Sequence, residues 1–450
     1  MKKLLVITYY WPPAGGSGVQ RWLKFVKYLR EFGYEPIVYT PLNPERMATD
    51  EGLLAEIPVG VIVIKRKIFE PYSMYKIFTG KKGQNIKPGF IAESKSSAKE
   101  SKSAGKVNVV PLSERISLFI RSNFFIPDPK CFWISPSVRF LKKYLNGNPI
   151  DAIVSTGPPH SMHMIAKGLA KATGIPWLAD FRDPWTRMYN FKYMNNTKLA
   201  EAIHKKMERN VVQQADAVVV VTNGMREEFL EFSPKRIEII TNGFDQTDFT
   251  EEPELLEESF TITYTGLFVK DRNPKELWKL LGEKVASDET FAKDLRIRII
   301  GQTDERIWAD ISANGLDNNL VKVDYMPHNQ VVKWQQSASV LLLAGGQEPE
   351  AKGILTGKFF EYLAARRPII GFGPIGGDMD VALKESEAGE MFDYSDYAGA
   401  KEWIDRQYDL FKKGETPVTS GKIDRYSRRG LCKSMAELLD ELIQNKNINR

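Results

Sequence analysis

The stretch Thr356-Gly357-Lys358-Phe359-Phe360-Glu361-Tyr362-Leu363-Ala364-Ala365-Arg366-Arg367-Pro368-Ile369-Ile370-Gly371 reads as a helix running into a buried strand. Phe359, Phe360 and Leu363 recur at helical spacing, and Thr356 stands where an N-cap is expected. Pro368 stops the pattern, and Ile369-Ile370-Gly371 restarts it as a short strand. Lys358 and Glu361 are three residues apart, so they share one face of the first turns. A helix N-terminus has unpaired N–H groups and the positive end of the dipole, which together favour an anion. A phosphate at Thr356, Gly357 and Lys358 and a hydroxyl group at Glu361 suit this turn. The expected ligand is a nucleotide carrying a diphosphate.

Outward from this segment, the chain alternates strand and helix. In the first half the pattern predicts strands at 4–8, 36–40, 152–155, 177–179, 217–222 and 237–241. Helices at 18–32, 162–173 and 199–214 fit between them. In the second half it predicts strands at 261–265, 295–300, 321–325, 340–343, 369–371 and 390–392. Strands separated by helical patterns imply parallel sheets covered on both faces. The expected fold class is α/β: two doubly wound, Rossmann-like domains facing a cleft, with ligands at the carboxyl ends of the strands. We place the first domain at 1–247, the second at 258–424, and at 425–450 a terminal helix that returns toward the first domain. The acidic run Asp248, Glu251, Glu252, Glu254, Glu257 and Glu258 is read as the linker.

At 450 residues the chain exceeds one ordinary core, which also favours two domains. Its net charge is +6. Residues 81–106 alone hold seven lysines against two glutamates, inside an insertion at 81–107 that is polar and without periodicity. The excess is therefore local, and no nucleic-acid-binding face is expected. Just downstream, the aromatic run at 116–127, flanked by Arg115 and Arg121, suggests contact with an anionic membrane surface. No apolar run is long enough to span a bilayer, and Tyr9-Tyr10-Trp11-Pro12-Pro13 cuts the first apolar run too short for a signal peptide. Two cysteines and four histidines give neither a disulfide framework nor metal-ligand spacing. The expected compartment is the cytoplasm, with peripheral attachment to the inner face of the membrane.

Five motifs in order then resemble one family. They are Tyr10-Trp11-Pro12-Pro13-Ala14-Gly15-Gly16-Ser17-Gly18-Val19-Gln20-Arg21, Asp180-Phe181-Arg182-Asp183-Pro184-Trp185, Asn242-Gly243-Phe244-Asp245, Tyr264-Thr265-Gly266, and the segment quoted first. Together they resemble nucleotide-sugar-dependent glycosyltransferases of the GT-B fold. Within that fold they point to the large retaining clan called family four, of the bacterial polysaccharide and lipid-linked glycan type. The resemblance covers most of the chain apart from 81–107. It implies transfer of a sugar from a nucleotide diphosphate sugar, UDP- or GDP-linked, to a glycan or lipid-linked acceptor with retention. It also implies no cofactor and no metal; Asp378-Met379-Asp380 has a metal-like spacing but falls in a loop after Gly376-Gly377.

The resemblance assigns residues in turn. Gly16 lines the donor; Gly15 and Gly18 are acceptor-side or structural. Glycine there also fits a tight strand–helix turn. His160, in the loop after a strand, is the catalytic candidate near the sugar. His163 competes with it, at a helix start that faces the core. Asp180, Arg182 and Asp183 form either an Arg182–Asp salt bridge or an acceptor contact, and Trp185 is read as packing. Gly266, Lys270 and Arg272 form the first loop of the donor domain. Leu267 stands where relatives carry a basic residue, and Arg272 and Lys270 are the cations for the leaving diphosphate. Thr356, Gly357 and Lys358 take phosphate, and Glu361 takes the ribose. The family's second glutamate falls at Gly353. His328 follows a strand and either approaches the base or caps a helix. Two other readings stay open: a nucleotide-sugar epimerase on the same fold, and a non-catalytic nucleotide-sugar-binding module.

Overall fold

The computed structural model describes residues 1–45, 49–69, 119–188, 191, 194–249, 258–324, 326, 328–415 and 421–448. The insertion at 81–107, Arg115, residues 116–118 and the acids Glu251, Glu252, Glu254 and Glu257 lie outside the described residues. The chain divides into two compact units. One holds Met1–Val221, Met225–Ile240 and Cys432–Arg450; the other holds Thr222–Gly224 and Thr241–Leu431.

The first unit carries a parallel sheet of seven strands: β1 (Lys2–Ile7), β2 (Tyr34–Pro41), β3 (Ile62–Arg66), β4 (Ala152–Gly157), β5 (Trp177–Phe181), β6 (Ala217–Val220) and β7 (Ile237–Ile239). Their order is β3-β2-β1-β4-β5-β6-β7. The direction of winding reverses between β1 and β4, the point where open α/β sheets bind ligands. Strand β3 is an addition to the sequence reading. It is a short edge strand whose residues are exposed or half-exposed, so it carries little of the buried-strand signal.

The second unit carries six parallel strands: β8 (Phe260–Thr265), β9 (Leu295–Ile300), β10 (Leu320–Val323), β11 (Val340–Ala344), β12 (Ile369–Phe372) and β13 (Gly389–Phe392). Their order is β10-β9-β8-β11-β12-β13, with the reversal between β8 and β11. Alternation decides which face each residue serves. In β11, Val340, Leu342 and Ala344 join one core while Leu341 and Leu343 join the core on the other face. Both faces are covered, as parallel sheets require.

Helix Ser17–Tyr28 follows β1 directly, and Trp22, Leu23, Phe25 and Val26 are buried along it. The last helix, Arg428–Ile448, buries Cys432, Met435 and Leu439. Its Asp440 pairs with Lys2 at 2.8 Å, and its Glu441 pairs with Arg236. Residues from Cys432 onward thereby belong to the first unit.

Candidate functional site

In the second unit, helix Gly357–Ala365 follows β11 and starts next to the loop after β8. Thr356 is at the N-cap with extended backbone, but its hydroxyl caps nothing. The Oγ1 atom is buried and makes no hydrogen bond, so the expected side-chain cap is corrected. Gly357 is exposed, and a Cβ there would meet nothing within 4 Å. Lys358 turns back over Gly266. A Cβ on Gly266 would lie 3.5 Å from Lys358 Cε, and its φ of +93° is in the region that favours glycine. Lys358 Nζ stands 3.7 Å from the centroid of the Tyr264 ring, a close cation–π contact. Arg272 hydrogen-bonds Tyr264 from the short helical turn Lys270–Arg272. Burial, then the Arg272 charge, lower Lys358 to about 7, against the opposing pull of Glu361.

Glu361 is held from behind. Gln335 is fully buried on helix His328–Gln336, and its Nε2 donates to Thr265 Oγ1 (3.0 Å) and Glu361 Oε2 (3.4 Å). The Tyr362 hydroxyl accepts the Thr265 N–H at 3.0 Å, which ties the same helix to the end of β8. Gly266, Arg272, Lys358 and Glu361 are thus one constellation. It has two cations, one carboxylate and an open helix N-terminus at the carboxyl end of β8. Lys270 is exposed, and its charge acts on Asp304. Gly353 ends a short turn, Pro349–Gly353. A Cβ there would find only Gly224 Cα at 3.6 Å and Asp378 Oδ2 at 4.0 Å, so no clash forces glycine at this position.

In the first unit the charges arrange differently from the sequence reading. Asp180, at 0 % exposure, pairs with Arg21 at 2.8 Å, not with Arg182. It also accepts from Trp22 Nε1 (2.7 Å) and Thr156 Oγ1 (2.8 Å). Burial raises the Asp180 carboxyl, but Arg21, Trp22 and Thr156 outweigh it and hold the group below the usual carboxylate range. Arg182, one residue past the strand, donates to the carbonyls of Gly18 (2.8 Å) and Pro158. A Cβ on Gly18 would lie 2.8 Å from Arg182 Nη1 and 3.0 Å from the Tyr10 ring, so this glycine makes room for that packing. Gly16 has φ +96° at the start of the helix, beside Gly15, with nothing near its missing Cβ. Asp183 is exposed.

His163 faces the core at 0 % exposure, with Nδ1 bonded to Ser155 Oγ at 2.9 Å. His160 is buried at 6 % exposure and lies flat on Trp185, with centroids 4.4 Å apart and planes 1° apart. Burial, with the nearby His163, Arg182 and His204, pushes His160 well below the ordinary histidine range, so the ring is neutral. Asp378 opens helix Asp378–Ser386 rather than lying in a loop, which corrects that expectation. Asp378 accepts the Gly224 N–H, and Asp380 accepts from Gly376 N and Lys384 Nζ, so the two carboxylates serve separate partners. Among the described residues no three metal-type side chains gather. His328 begins helix His328–Gln336.

The sequence reading passed over Arg21, Tyr264 and Gln335. Each had a signal. Arg21 lies on the same stripe as Phe25, Gln335 occupies a core position four residues after Val331, and Tyr264 sits inside a quoted motif.

Residues 98–248, about a third of the chain, match the family described as Glycosyltransferase Family 4. No curated protein sequence matches the chain. Its fold is similar to sucrose-phosphate synthase of Thermosynechococcus elongatus, with TM-score 0.55, 13% identity and 99% and 100% of the two chains covered. It is similar to the lipopolysaccharide outer core galactosyltransferase WaaB, with TM-score 0.53, 14% identity and 99% and 100% covered. A protein of Listeria monocytogenes described as a putative UDP-N-acetylglucosamine 2-epimerase is also similar, with TM-score 0.52, 9% identity and 98% and 97% covered. The two parallel sheets, each wound in both directions and covered by helices, are those of the GT-B glycosyltransferase fold.

Proposed function

We propose that this protein is a retaining glycosyltransferase. It moves a sugar from a UDP- or GDP-linked donor to a glycan or lipid-linked acceptor. The observation that carries the reading is the convergence of Lys358, Arg272, Gly266 and Glu361 at the open N-terminus of helix Gly357–Ala365. Lys358 and Arg272 take the diphosphate, together with the N–H groups of Gly357 and Lys358. Glu361 accepts hydroxyl protons of the ribose. As the glycosidic bond breaks, negative charge grows on the departing diphosphate, and the fixed cations stabilise it more than they stabilise the bound donor. The first unit binds the acceptor, and His160 is its candidate for contact with the transferred sugar. The match at 98–248 favours transfer over the epimerase reading, since the fold alone is shared with an epimerase.

The membrane reading draws support from a cluster of exposed apolar residues in the first unit: Phe119, Ile120 and Phe124 in one helical segment, with Met194 and Leu199. Asn123 links the two segments through Asn195 O and Thr197 N. Arg121 and Lys198 are exposed beside them. Anionic lipid adds about 1 kcal/mol per such charge. Replacing Phe124 and Leu199 by serine should abolish co-sedimentation with phosphatidylserine vesicles. Unchanged co-sedimentation, or none in the parent protein, ends this part of the reading.

The main test is a thermal-shift and hydrolysis panel of uridine, guanosine and adenosine diphosphate sugars. Binding with turnover of one donor is expected. Binding without turnover or transfer would leave the non-catalytic module as the better reading.

A further inference from the structure

Helix Lys198–Gln214 buries Ala200, His204, Glu208, Val211 and Val212 along one stripe. Two titratable residues in an apolar stripe need partners. Both find Trp185. Glu208 Oε1 accepts the Trp185 N–H at 3.2 Å, and its carboxylate also takes the N–H and hydroxyl of Thr186. His204 Nδ1 meets Trp185 Nε1 at 3.1 Å. Indole nitrogen only donates, so Nδ1 is the acceptor and a neutral His204 carries its proton on Nε2. The indole is thus fixed at its backbone and at its ring edge. The His160 ring lies on the indole at 4.4 Å and 1°. Behind it stand Phe181 at 6.0 Å and His163 at 5.9 Å. Within this stack His160 Nδ1 is buried without a hydrogen bond, whereas Nε2 is not among such buried atoms.

We propose that His204 and Glu208 are positioning residues which, through Trp185, hold the His160 ring in the orientation that presents Nε2 to the transferred sugar. This rests on the reading that His160 touches that sugar. Trp185 then has a use beyond packing: its flat face sets the plane of the imidazole, and its two N–H groups set its own plane. Orientation within a fraction of an ångström is what such a contact requires.

With four histidines in the chain, imidazole resonances can be assigned by single substitutions and followed by NMR without any ligand. The titratable groups bearing on His160 are His163, Arg182 and His204. In His204→Leu the loosened stack should let the His160 titration move up toward the ordinary value of about 6.5. Turnover of whichever donor the panel identifies should fall roughly tenfold or more, with the Kd for its nucleoside diphosphate unchanged. His204→Asn, whose Oδ1 can accept the indole N–H, loses the same titratable group as His204→Leu but keeps the stack, so its turnover should stay near the parent value and its His160 titration should move less than in the Leu form. If His204→Leu does not fold, Trp185→Phe, which keeps a flat ring and loses the indole N–H, carries the same expectation. Parent-like titration and turnover in these variants, or equal losses in the Leu and Asn forms, overturns the proposal. His160→Ala separates the two claims: if it leaves turnover intact, the role of His160 falls, while the NMR titration still reports on the clamp.

Discussion

The two units treat charge in opposite ways. In the first, Asp180 is fully buried and saturated: Arg21 supplies the counter-charge, and Trp22 and Thr156 supply the remaining hydrogen bonds. In the second, Lys358 rests on an aromatic face beside another cation, and among the described residues no carboxylate forms an ion pair with it. A saturated buried pair is a fold element; removing one partner strands a charge. A lowered lysine at a helix N-terminus is an unmet demand for an anion. The contrast separates Asp180, a scaffold residue at a strand end, from Lys358, the proposed ligand group in the first turn of a helix.

Breaking the saturated pair should give the largest effect. Arg21→Ala leaves Asp180 buried without its cation and should cost about 3–5 kcal/mol of stability, read by urea denaturation. If the loss is below about 1 kcal/mol, Asp180 is not a scaffold residue. Lys358→Met should act the other way. It should weaken nucleoside diphosphate binding by roughly ten- to hundredfold, the worth of a hydrogen bond to a charged group. It should leave the melting temperature unchanged or raised, since a desolvated cation has been removed. A matching loss of stability would make Lys358 structural and erase the contrast.

These two regions also show what was legible from the chain. Strand and helix periodicity exposed the doubly wound sheets, because a parallel strand buried on both faces reads as an unbroken apolar run: Ala217–Val220 and Val340–Ala344 are examples. The half-exposed edge strand Ile62–Arg66 lacks that signal. The helix of Lys358 and Glu361 was legible because local spacing defines it. The partner of Asp180 was not, since Arg21 is 159 residues away and Arg182 is two. Sequence proximity suggested an Arg182–Asp pair, whereas strand register and helix packing bring Arg21 to Asp180. For the same reason, helical spacing marks Gln335 as a core position, but its contact with Glu361, like that of His204 with Trp185, comes from tertiary structure.

A smaller effect sharpens the ligand side. Glu361→Ala should weaken nucleoside diphosphate binding about tenfold and inorganic pyrophosphate binding much less, since the proposed ribose contact is lost outright while the phosphate side loses only the pull of Glu361 on the Lys358 charge. Equal losses for both ligands would place Glu361 in the phosphate site instead. Smallest is the proton linkage. Lys358 is lowered to about 7 in the folded chain. Between that pH and the ordinary lysine range the unfolded chain holds the extra proton, so this group adds stability as pH rises through the window. A bound diphosphate favours the charged lysine. Binding should therefore take up a fraction of a proton above about pH 7, and affinity should fall as pH rises further. Calorimetry in buffers of different ionisation enthalpy measures the uptake, and Lys358→Met should abolish it.

Calorimetric titration tests most directly the proposed diphosphate nucleotide at the start of helix Gly357–Ala365. The panel of nucleoside diphosphate sugars is titrated into the parent protein, Lys358→Met and Glu361→Ala. The expected result is saturable binding of one uridine or guanosine donor to the parent, weakened in both variants. Absence of binding across the panel, or affinities unchanged by both substitutions, contradicts it.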